Sequence, residues 1–117
     1  RILVVLLERT TPEHMLLELN LGEMTILQVQ QHLVRTIRME HEHNMSQQVY
    51  VSEEVWAMIQ NAKEQTLAFV NTVAQQLPAE STALDYAKTL ITAYSTNGDT
   101  PNELALQALK KEAQTLL

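Results

Sequence analysis

Apolar positions recur at helical spacing through most of this 117-residue chain. The broadest face lies in residues 52–77. There Val55, Trp56, Met58, Ile59, Ala62, Thr66, Leu67, Phe69, Val70, Val73, Ala74 and Leu77 share an arc of roughly 180° when each residue turns about 100°. Such an arc is wide enough to touch several neighbours, so this stretch is the expected axis of packing. Ser52 supplies an N-cap, Glu53 and Glu54 suit the positive end of the helix dipole, and Pro78 stops the helix.

Two further amphipathic stripes flank it. In residues 26–39, Ile26, Val29, Leu33 and Ile37 oppose Gln28, Gln31, His32, Arg35 and Arg38, behind a Thr25-x-x-Gln28 capping box. In residues 82–95, Ala83, Tyr86, Ala87, Leu90, Ile91 and Tyr94 form a stripe, with Thr82 and Asp85 as an approximate box. Asn97, Gly98 and Asp99 read as a turn. Thr100-Pro101-Asn102-Glu103 then opens a last helix over 101–117, with Ala105, Leu106, Leu109, Ala113, Leu116 and Leu117 inward. A short helix over 12–21 starts by the same Thr-Pro logic at Thr11 and Pro12, with Gly22 as its left-handed terminator.

The remaining segments lack a period. Residues 2–7, ILVVLL, are continuously apolar and rich in β-branched side chains, which fits a buried strand, a helix turn or an arm on another subunit. Residues 48–51, QVYV, carry the other local strand signal, so a minor pair of 2–7 with 48–51 is expected. Residues 39–48, MEHEHNMSQQ, read as a frayed helix end and a polar loop. The expected fold is therefore mostly α: an antiparallel bundle of about four principal helices, a short N-terminal helix and that possible strand pair, in one domain over 1–117 with a single core. Starting on Arg1, the chain also reads as a piece excised from something longer.

Composition narrows the chemistry. Eight Lys plus Arg against fourteen Asp plus Glu leave a net charge of -6, the wrong sign for binding nucleic acid by phosphate neutralisation. No cysteine is present, which removes disulfides, thiolate metal sites and Cys nucleophiles. Two glycines leave no phosphate loop or dinucleotide fingerprint. The apolar run at 2–7 is far short of the ~20 residues that span a bilayer, so no membrane role and a cytoplasmic location are expected. Lys63, the one charge in the central apolar arc, reads as a rim cation with its stem on the core.

Surplus apolar surface points to a non-catalytic protein-interaction or regulatory module, a homodimer or other homo-oligomer, with Ile2, Val4, Leu6 and Trp56 at the interface and no cofactor. One alternative is a metal-binding protein using Glu40, His41 and His43. Glu40 and His43 have the Glu-x-x-His spacing of di-metal bundles, and on an extended segment His41 and His43 share a side. The ordinary alternative for that cluster is a solvated polar loop. A second alternative is a DNA-binding regulator, with residues 23–38 laid onto a helix-turn-helix and Arg35 and Arg38 outward.

Overall fold

Capping chemistry sets most of the helix starts. The computed structural model describes residues 2–94 and 99–115. Its elements are α1 (Ile2–Arg9), α2 (Pro12–Leu16), a 3-10 turn (Leu21–Glu23), α3 (Ile26–His43), a 3-10 run (Met45–Tyr50), α4 (Glu53–Gln76), α5 (Ala83–Tyr94) and α6 (Pro101–Thr115). At Thr25 both halves of the capping box form, the Gln28 amide donating to Thr25 Oγ1 at 3.1 Å and the Thr25 amide to Gln28 Oε1 at 2.9 Å. Thr82 and Asp85 exchange the same pair at 2.9 and 3.2 Å, and the backbone and side-chain bonds from Thr82 hold the Asp85 carboxyl below its usual range. Ser52 Oγ accepts from the Val55 amide, and Thr100 Oγ1 from the Glu103 amide.

α4 is the axis. It packs on α3, α5 and α6, while α1 lies along α6 and α2 touches α3 and α5. Gln30 meets Asn71, Tyr86 meets the Val70 carbonyl, and Ser52 and Thr66 meet Glu112 and Asn102. From Ser52 to Thr66 the α6 partner falls from Glu112 to Asn102, and from Thr66 to Val70 the α5 partner falls from Tyr94 to Tyr86, so α6 and α5 run against α4. The molecule measures 52 × 28 × 19 Å. Its length exceeds the ~36 Å of a 24-residue helix, because α1 and α6 sit towards one end of α4 and α3 and α5 towards the other.

That arrangement makes two apolar cores, where one was expected. The first joins Met15, Leu16, Val29, Leu33 and Ile37 to Leu67, Val70, Val73 and the α5 stripe around Tyr86 and Leu90. The second joins Leu3, Leu6 and Leu7 to Val55, Ile59, Ala62, Ala105 and Leu109. A buried polar layer lies between them. Asn102 Nδ2 donates to the Leu7 carbonyl at 2.7 Å and to Thr10 Oγ1 at 3.1 Å, and Thr66 Oγ1 donates to Asn102 Oδ1 at 3.4 Å. Thr66 also meets the Tyr94 hydroxyl, whose pKa burial pushes up. Asn102 thus satisfies a carbonyl at the C-terminal end of α1, where helices leave acceptors without partners.

The structure corrects four expectations. Among the described residues there is no strand: residues 2–7 are helical and residues 48–51 fall mostly in the 3-10 run. A six-residue apolar run has no period to betray its state, and here docking of Leu3, Leu6 and Leu7 against α4 and α6 decides for helix. The short helix ends at Leu16, and Gly22 lies inside the 3-10 turn without a left-handed φ. α3 continues to His43, four residues past its expected end, because His41 extends the inward series Val29, Leu33, Ile37, and Asn44 Nδ2 donates to the Glu40 carbonyl at 2.7 Å. The expected turn at Asn97 and Gly98, and the inward placement of Leu116 and Leu117, lie outside the described residues.

Candidate functional site

The Met45–Tyr50 run buries none of its residues. Three large apolar side chains of this run face solvent. Val49 is 81% exposed, Tyr50 72% and Met45 58%. Across from Tyr50, Ile2 on the first turn of α1 is 55% exposed. Between the two segments opens a cleft of about 220 Å³ lined by Ile2, Val4, Tyr50, Val51 and Leu109, with Lys110 and Glu112 at its edge. The Ser52 amide donates to Glu112 Oε2 at 3.0 Å, which ties the end of the 3-10 run to α6 and holds Tyr50 and Val51 opposite α1.

Helix geometry redistributes the four interface residues expected from sequence. A strand would set Ile2, Val4 and Leu6 on one side. On the helix, Leu6 turns inward and is 2% exposed, Val4 is half-buried, and Ile2 faces out. Ile2 and Val4 line the cleft, whereas Leu6 belongs to the second core. Trp56 is half-buried against that core. Met45, Val49 and Tyr50 were hidden from sequence reasoning because their neighbours are polar and 48–51 resembled a strand. The usable signal was three large apolar residues in a segment with no helical face to bury them.

Glu40 and His43, three residues apart on α3, lie within about 60° of each other around the helix, and His41 does not join them. They lie on one helix, with His41 and His43 about 200° apart around its axis. The extended geometry that would align the two imidazoles is absent. Glu40 pairs with Arg9 at 3.9 Å on a largely exposed face, and His43 is exposed. His41 is 3% exposed, and its Nδ1 has no hydrogen-bond partner. Burial, helped by the nearby Lys63 ammonium, lowers its pKa from 6.5 to about 4, so this imidazole is neutral near pH 7. Lys63 itself is half-buried. Glu40 instead faces a polar cleft of about 270 Å³ shared with His14, Glu18, His32 and Arg9. The guanidinium already supplies a cation there, and among the described residues no three His, Asp or Glu side chains are placed to hold a metal ion.

No helix among the described residues is long and apolar enough to cross a membrane. Residues 1–116 match a family described as a family of unknown function, DUF7935. No curated protein and no solved structure matches the chain.

Proposed function

We propose that this chain, which belongs to the DUF7935 family, is a non-catalytic helical interaction or regulatory module that associates with a second copy of itself through the cleft end of the molecule. In the same reading its helices form one antiparallel bundle built on α4. The supporting observation is an apolar cleft lined by Ile2 and Tyr50, both more than half exposed, with Met45 and Val49 also exposed on the 3-10 run that carries Tyr50. Scattered apolar residues are ordinary on a protein surface, but a contiguous group with a charged rim marks an interaction site. A two-fold axis through this end would present each patch twice, and each large apolar side chain fully buried there contributes about 1.5–3 kcal/mol.

Sedimentation equilibrium across a broad concentration range tests the reading. The expected result is a dimer that dissociates to monomer on Val49→Asp with Tyr50→Asp, the helical circular dichroism signal being unchanged because neither side chain is buried. A native chain that stays monomeric at millimolar concentration would sink the proposal, as would a double variant that remains dimeric.

A further inference from the structure

A second surface, on α3, has a different chemistry. Leu27 and Met39 are 59% and 42% exposed, and half-buried Val34 lies between them. These three side chains line a groove of about 460 Å³ that reaches Asn71 of α4. Gln30 Nε2 donates to Asn71 Oδ1 at 2.8 Å, closing the α4 side with a polar tie. Arg35 and Arg38 line the groove at the end nearer Met39. Neither pairs with a carboxylate among the described residues, where the ion pair present is Arg9 with Glu40. No acidic residue lines the groove. In a chain with fourteen acids and eight bases, two arginines beside an apolar lining, without an ion pair among the described residues, are a local reversal of sign.

From this combination we infer that the α3 groove docks an amphipathic helix of a protein partner, with its apolar stripe on Leu27, Val34 and Met39 and its acidic residues on Arg35 and Arg38. The dimensions fit that occupant. Leu27 and Met39 are twelve residues apart, about 18 Å along the helix, which is roughly three helical turns. A docked helix of that length offers apolar anchors at i, i+3 or i+4 and i+7. Guanidinium groups hold carboxylates in paired hydrogen bonds, stronger than a lysine's single contact. Nucleic acid is the poorer occupant, since two arginines neutralise few phosphates and an apolar lining offers the backbone nothing.

The surface lies apart from the Ile2 and Tyr50 cleft, so the inference holds whether or not the chain self-associates. A phage-displayed library of 14-residue helical peptides, randomised on its outer faces, is selected against the full chain. Enriched peptides are expected to carry an apolar i, i+4, i+7 stripe flanked by Asp or Glu. They should bind Arg35→Glu with Arg38→Glu at least tenfold more weakly than the native chain, and Val49→Asp with Tyr50→Asp unchanged. Leu27→Ser, a substitution at an exposed position, should also weaken them. Failure of the library to enrich, enrichment of basic or uncharged peptides, or equal binding to the arginine double variant would each overturn the inference. Displacement of the peptides by a 20-base-pair DNA duplex at low salt would overturn it too, by assigning the arginines to phosphate.

Discussion

Acid should destabilise this protein chiefly through His41. The imidazole sits on the inward series of α3, 3% exposed, with Nδ1 unpartnered and the Lys63 ammonium nearby. Its folded pKa of about 4 lies below the unfolded value of 6.5, so the folded state resists the proton that the unfolded chain accepts. The stability tied to the neutral form is whole above about pH 6.5, falls as pH drops from there, and is gone below about pH 4. At pH 5 the preference of the proton for the unfolded chain is roughly thirtyfold, about 2 kcal/mol, with a limit near 3 kcal/mol at lower pH. That is a large fraction of the stability of a domain this size.

Urea unfolding from pH 8 to pH 4.5 measures it. The native chain should lose about 2 kcal/mol between pH 8 and pH 5, and His41→Leu should lose that much less. At pH 8 the variant should match or exceed the native stability, because it removes a buried polar atom that makes no hydrogen bond. Lys63→Met should make the acid loss smaller, since it removes one of the two causes that depress the His41 pKa and so narrows the gap to the unfolded value. Parallel stability profiles for the native chain and His41→Leu would refute the reasoning, showing that the imidazole reaches water in solution.

Two further outcomes follow from the buried hydrogen bonds. Asn102→Ala should destabilise by about 2–4 kcal/mol, read as a lowered urea midpoint, because it strips a partner from both the Leu7 carbonyl and the Thr66 hydroxyl in the layer between the cores; a change under about 0.5 kcal/mol would show that the layer is hydrated. Tyr86→Phe should lose about 1 kcal/mol with the 2.8 Å bond to the Val70 carbonyl. Burial pushes the Tyr86 hydroxyl well above its ordinary pKa, so stability associated with its neutral form is full below pH 10 and falls as pH rises further. Absorbance at 295 nm should accordingly show a difference between folded and unfolded titration that is smaller in Tyr86→Phe than in the native chain, the remainder coming from Tyr94, whose pKa burial also raises.

What the sequence by itself determined was local. Helix starts at Thr11, Thr25, Ser52, Thr82 and Thr100 depend on groups two or three residues apart, and the stripes of α3, α4 and α5 depend on periodicity within one element, so both could be read without a fold. The 2–7 run could not be, since unbroken apolarity carries no period and α4 and α6 chose its state. The reach of α3 to His43 was partly legible, because position 41 continues the series 29, 33, 37, but a histidine there looks like surface. Tertiary structure alone decided the division into two cores, since Leu7 and Thr10 meet Asn102 across 95 and 92 positions of sequence. It alone left Val49 and Tyr50 facing water, with Tyr50 across the cleft from Ile2, and left Arg35 and Arg38 without an ion pair among the described residues. Exposure and charge pairing depend on what the rest of the chain places nearby, and no pattern within one element encodes that.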